Sequence, residues 1–252
     1  MGGLFQYAPD RDGYSYLSRI SEPALWTVFW LAIAFCAVHA IRRARRQPAA
    51  KPAVGYNLNQ RLYHWGNFVL LGVVAFSGYW LFFQKAPPSP LASRGIGWLE
   101  IHEWTGALFA FGVLFHAVAA TLRGDWRSMK PELRDFRDAW LIWRNFLGKT
   151  DAYPGPQKYD PIQKVYHHIL SLLAIVFAVS GFSLWFAVER WVLASRTWLQ
   201  SMRILHDVSA AILAAMVIGH FYFSIIKVNR HNLKDMALGT TTQPAPEAMT
   251  DV

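Results

Sequence analysis

One cysteine, Cys36, stands in 252 residues, which excludes an internal disulfide and any cysteine cluster for zinc or iron–sulfur. Charge is scarce as well. Only 16% of the residues are Asp, Glu, Lys or Arg, against about 25% in an average soluble domain. No glycine-rich phosphate loop, nucleophile constellation or carboxylate pair can be found, so the chain shows no substrate chemistry of its own. The first 22 residues lack the basic start of a secretory signal. The apolar run after them has no small-residue cleavage site, and it reads as a retained anchor.

What fills the space is apolar. The hydrophobic share is 54%, the aromatic share 15%, and there are 12 tryptophans. Runs at 24–41, 62–83, 98–122, 169–188 and 204–226 are each long enough, or nearly so, to cross a bilayer core of about 30 Å as a helix. The sequence therefore predicts an all-α integral membrane protein with five transmembrane helices. The net charge of +9 is not spread evenly. Arg42, Arg43, Arg45, Arg46 and Lys51 follow the first run, and Arg123, Arg127, Lys130, Arg134, Arg137, Arg144, Lys149 and Lys158 follow the third. Lys227, Arg230 and Lys234 follow the fifth. The alternate loops hold only Lys85 and Arg94, then Arg190 and Arg196. By the positive-inside rule the basic side is cytoplasmic, with the N-terminus outside and the C-terminus inside, so that in a bacterial inner membrane the N-terminus would be periplasmic. Basic residues arranged this way face anionic lipid rather than nucleic acid.

Histidines carry the informative pattern. His206 and His220 are fourteen residues apart in the last run. On a helix that spacing returns the second ring to within roughly 40° of the first and about 21 Å along the axis. His102 and His116 repeat the spacing in the third run, offset by 104 residues. Gln60-Arg61-Leu62-Tyr63-His64 aligns with Gln163-Lys164-Val165-Tyr166-His167 at an offset of 103, as does Phe76-Ser77-Gly78-Tyr79 with Val179-Ser180-Gly181-Phe182. Two duplicated helical hairpins follow from this, giving a four-helix bundle plus one extra N-terminal helix.

Along the chain, residues 1–56 comprise a polar outer tail, the extra helix and a basic linker, and 57–236 form the bundle domain. Within the latter, 131–148 has an amphipathic helical period and is read as lying in the inner interface. Residues 237–252 form a disordered cytoplasmic tail, rich in Thr, Pro and Ala. His39, outside the repeat, reads as an interfacial histidine.

Ionisable residues inside a membrane are functional by default. Paired imidazoles at two depths fit two haem irons stacked across the bilayer, each closed by two histidine ligands. Without a Cys-x-x-Cys-His motif the haem would be of b type. Topology places His102 and His206 together at the outer face. At the inner face His64, His116, His167, His168 and His220 share one depth. His64 with His220, His116 with His220, and the symmetry mate His116 with His167 are all open, the last giving a third haem.

At these residues the chain resembles the cytochrome b (gamma) subunit of membrane-bound formate dehydrogenases, within the wider family of hydrogenase and thiosulfate-reductase b-type cytochromes. The resemblance spans roughly 57–236. It rests on Gln60-Arg61-x-x-His64-Trp65, Ser77-Gly78, His102, Lys158-Tyr159-Asp160-x-x-Gln163-Lys164, Ser180-Gly181-x-x-x-Trp185 and the His206/His220 helix. It implies an outer haem on His102 and His206 and an inner haem on His64 and His220. A quinone pocket would lie beside Lys158, Tyr159, Asp160 and Gln163, near His220. A partner iron–sulfur subunit, fed by a catalytic subunit, would deliver electrons to the outer haem, and quinone would be reduced inside. The chain departs from that pattern in its extra first helix, in Asp160-Pro161-Ile162 where Asn-Ala-Gly is usual, and in His116, His167 and His168.

The expectation is thus a membrane cytochrome b that serves as the non-catalytic, quinone-reducing subunit of a respiratory oxidoreductase. Two other readings compete with it: a stand-alone haem reductase of the cytochrome b561 kind, and a haem-free transporter that uses the histidines as a relay.

Overall fold

In a computed structural model the chain is described over residues 11–43, 56–83, 87–152, 154, 159, 161–188, 195–226 and 230–239. Seven α-helices occupy these segments: α1 (Arg11–Arg43), α2 (Leu58–Phe83), α3 (Trp98–Leu122), α4 (Leu133–Phe146), α5 (Pro161–Val188), α6 (Arg196–Ile225) and α7 (Arg230–Leu238). Five are long and apolar enough to cross a membrane, over Pro23–Arg42, Leu58–Phe82, Trp98–Leu122, Pro161–Ala187 and Thr197–Ile225. The expected all-α, five-span architecture is what the chain adopts.

Four helices, α1, α2, α5 and α6, start earlier than their apolar runs. Asn57 and Gln60 cap α2 reciprocally: the Gln60 N–H donates to Asn57 Oδ1 at 2.9 Å, and the Asn57 N–H donates to Gln60 Oε1 at 3.1 Å. Pro161 opens α5 at the one position where its missing N–H costs nothing. Ser195 caps α6 by accepting the Trp198 N–H at 3.2 Å. As a result Gln163, Lys164, His167 and His168 lie within the first two turns of α5. The polar stretch read as a tail to residue 22 is helical from Arg11, and α7 takes in residues 237 and 238 of the expected tail. Residues 240–252 lie outside the described segments.

Packing is inverted relative to a soluble protein. The most enclosed side chains include Ser77 and Ser180 at 0% exposure, whereas Phe115 and Leu122 are 73% and 82% exposed. Apolar side chains pointing outward cost nothing in lipid, and polar ones turned inward find partners. Around the bundle α2 packs on α3, α3 on α5 and α5 on α6, while α1 lies along α6. The ring is unequal: α3 and α5 pack directly, but their counterparts under the duplication, α6 and α2, stand further apart.

The extra helix is tied down by a buried histidine. His39 Nδ1 lies 2.7 Å from the Tyr222 hydroxyl of α6, and its ring stacks on Phe146 of α4 with centroids 4.1 Å apart. The interfacial histidine expected from the sequence is in fact 5% exposed and joins three helices.

At the basic end α4 turns its polar side inward. Asp135, Asp138 and Asn145 are buried, whereas Leu133, Phe136 and Trp140 are 91%, 77% and 62% exposed. Asp135 is held by Lys164 Nζ at 2.9 Å and by the Glu132 N–H at 2.7 Å. Burial raises the Asp135 carboxyl, but those two bonds, with the positive charges of Lys164 and Arg134, outweigh it and hold the group below its ordinary value of 3.8. Beneath the start of α2, Arg61 donates to the last carbonyls of α7, to Met236 at 3.2 Å and Ala237 at 2.8 Å. Trp65 Nε1 adds a bond to the Met236 carbonyl at 3.1 Å.

Candidate haem sites

The site at the end away from the basic loops is built from two helix pairs. His102 sits one turn into α3, where its Nδ1 lies 3.0 Å from the Val74 carbonyl and 3.1 Å from Ser77 Oγ, both on α2. A carbonyl can only accept, so Nδ1 carries the proton and Nε2 keeps its lone pair. The α5–α6 hairpin repeats the device. Ser180 donates its hydroxyl to the Val176 carbonyl at 2.7 Å, leaving its oxygen to accept from His206 Nδ1 at 2.9 Å. Both rings therefore turn a bare Nε2 inward, the form in which imidazole ligates a metal.

Across the bundle the His102 and His206 rings are 6.1 Å apart between centroids, with planes at 70°. At the basic end His64 of α2 and His220 of α6 are also 6.1 Å apart, with planes at 52°. This separation tests whether a haem iron fits. A metal–imidazole bond of about 2 Å, plus roughly 1 Å from nitrogen to ring centre, on each side, gives about 6 Å. Both pairs meet that requirement, and α6 supplies one ring to each. Among the described residues there is no group of three or more His, Cys, Asp or Glu that could hold a bare ion, so these are paired-ring sites.

Glycines make the close approach of the outer rings workable. A Cβ on Gly78 would lie 3.0 Å from His102 Cε1, while one on Gly181 would lie 3.7 Å from His206 Cε1. Gly78 is needed to pass the ring, and Gly181 has more room.

The remaining histidines have different surroundings. His116 stacks on Tyr63 with centroids 4.0 Å apart and planes at 15°. The counterpart contact, Tyr166 on His220, is looser at 5.7 Å and 25°. His168 Nδ1 lies 2.7 Å from the Lys164 carbonyl of its own helix, and its ring is 6.3 Å from that of His167. His167 is within electrostatic reach of His116, across the closely packed α3–α5 face.

Of the segment expected to border a quinone, Lys158 and Asp160 lie outside the described residues. Tyr159 is half-buried, and both it and Asp235 lie within electrostatic reach of Tyr56. Burial first, then the negative potentials of those two groups, pushes the Tyr56 phenol above its usual range. Gln163 is exposed on the first turn of α5.

The sequence by itself assigns Ser77 and Ser180 no contact with a histidine. The signal was there in the Ser-Gly dipeptide that recurs at an offset of 103, but which ring each serine would meet depends on how the helices are rotated.

No curated protein matches the chain. Residues 55–239 match the family described as prokaryotic cytochrome b561, well over half the length and including every paired histidine above. The chain belongs to the prokaryotic cytochrome b561 family, and is a multi-pass membrane cytochrome that binds haem b and carries electrons.

Proposed function

We propose that this cytochrome is the quinone-facing electron-transfer subunit of a respiratory oxidoreductase complex of the formate dehydrogenase kind. The observation that carries the reading is the pair of imidazole couples with equal 6.1 Å separations, about 21 Å apart along α6. Haem b between each couple supplies a one-electron carrier. His102 and His206 ligate at the periplasmic side, and His64 and His220 at the cytoplasmic side. Ser77, Val74 and Ser180 hold the outer rings with Nε2 inward. An iron–sulfur subunit docks at the periplasmic end and receives its electrons from a catalytic subunit. Quinone is reduced at the basic end, against Lys158, Tyr159, Asp160 and Gln163. The number of haems is two, with His116, His167 and His168 acting as packing and hydrogen-bonding groups. The basic loops after α1, α3 and α6 support the assignment of the cytoplasmic side.

A stand-alone cytochrome b561-type reductase is the second reading, and the family description favours it. Isolation of an active chain free of any iron–sulfur protein would decide for it.

The test is the ratio of haem b to polypeptide, with single His→Ala variants. The expected ratio is two. His102→Ala and His206→Ala should each remove the same haem, and His64→Ala and His220→Ala the other. A ratio of three, with one haem lost in His116→Ala and His167→Ala, replaces the two-haem assignment. A ratio of zero in folded, haem-supplied protein points to the histidine relay.

A further inference from the structure

One turn of α6 before His206, on the same face, is Arg203. Its Nε lies 3.2 Å from each carboxylate oxygen of Asp207. This ion pair is set within a membrane-spanning helix, with side chains 40% and 16% exposed. Charges at such depth are expensive without a function. The guanidinium fork has donors on both Nη nitrogens as well, and among the described residues no acceptor takes them. Arg203 is also within electrostatic reach of both His102 and His206.

A second donor lacks a partner at the same level. Trp80 lies one turn beyond Ser77 on α2, toward the same end, and its Nε1 is buried with no acceptor among the described residues. An unpaired buried N–H costs about 1–3 kcal/mol unless something takes it. The duplication supplies neither donor twice, since Leu99 stands at the α3 position matching Arg203 and Ser183 at the α5 position matching Trp80. Two donor groups on α2 and α6 that no described residue engages, each a turn outward of the machinery that holds the outer rings, call for an anionic acceptor at that edge. Haem b carries such groups as its propionate carboxylates.

We propose that Arg203 and Trp80 form the carboxylate-binding site for the propionates of the haem held by His102 and His206, and that the Arg203 charge, tempered by Asp207, raises the reduction potential of that haem. The inference rests on the ligand assignment above. Reduction adds one electron and no atoms, so the reduced form is the more negative, and a cation beside it stabilises it. Asp207 partly cancels that cation.

The experiment is an optical redox titration of the full-length, haem-loaded chain and of Arg203→Gln, Arg203→Lys, Asp207→Asn and Trp80→Phe. His102→Ala identifies the outer haem as the one that disappears. Arg203→Gln should disfavour reduction of that haem at least tenfold, about 59 mV for one electron, and leave the other haem in place. Asp207→Asn should move the same midpoint upward, Trp80→Phe should lower it by less, and Arg203→Lys should stay nearer wild type than Arg203→Gln. If Arg203→Gln loses the haem, opposite shifts in Asp207→Asn and Trp80→Phe still support the proposal. Unmoved midpoints in all four variants, or shifts confined to the haem that survives in His102→Ala, overturn it. Retention of both haems in His102→Ala is a different failure, that of the ligand assignment itself.

Discussion

Ser180 and Ser77 hold equivalent rings, but not with equal help. Val74 offers His102 a second acceptor at 3.0 Å, while His206 has Ser180 as its hydrogen-bonding partner. Losing an outer-shell partner of a metal-bound histidine costs typically 10–100-fold in affinity. Ser180→Ala should therefore speed haem loss to an apomyoglobin trap by about that factor, and Ser77→Ala by less. Equal rates in the two variants would show that the serines do not orient the rings. The glycines beside them divide in the same way. Gly78→Ala must displace the His102 ring by a few tenths of an ångström, since the added carbon would sit 3.0 Å from Cε1, whereas Gly181→Ala has 3.7 Å. The outer haem's low-spin signature should change in the first variant and persist in the second.

Among the elements, α4 is joined to α5 by a buried ion pair. Lys164 and Asp135 are 5% and 9% exposed, and removing one member of a buried pair costs about 3–5 kcal/mol because the other charge is stranded. Lys164→Met should release α4, seen as faster proteolysis in the segment between α3 and α5. The pH dependence follows from the lowered carboxyl of Asp135. A carboxyl whose pKa is lowered by folding stabilises the fold above its unfolded value, and that contribution fades as pH falls through the folded one. Docking of α4 should hold at neutral pH and weaken below about pH 4, the ordinary carboxylate range. In Asp135→Asn that acid-dependent step should vanish, and its persistence would place the titrating group elsewhere. The extra helix has its own tie. His39→Phe keeps the stacking on Phe146 but removes the hydrogen bond to the Tyr222 hydroxyl, at a cost of about 1 kcal/mol, measurable as a lower thermal midpoint in detergent. A variant as stable as wild type would mean that the stacking alone holds α1.

For the whole molecule, the arrangement of charge predicts an orientation. Protease added to inverted membrane vesicles should cut the basic segment between α3 and α5, and protease added to spheroplasts should leave it intact. Cleavage from the outside would reverse the proposed direction of electron flow.

How far the sequence alone reached depends on the range of the interaction concerned. The five apolar spans follow from local periodicity, and the expected depth of each histidine and pairing of His102 with His206 are read from that periodicity and the 104-residue repeat, because a helix sets rise and rotation by its own backbone bonds. Choosing at the basic end between His64 with His220 and the symmetry mate His167 with His116 was beyond periodicity and repeat, since the duplication makes those two pairs equivalent in a linear reading. Lateral packing breaks that equivalence. With α3 against α5 and α2 held off α6, the His64 and His220 rings come within 6.1 Å, while His116 lies flat on Tyr63. The same holds for Ser180 on His206, Lys164 in its ion pair with Asp135, and His39 on Tyr222. Each depends on how two helices are rotated against one another, a quantity fixed by the sum of many side-chain contacts and by no local pattern.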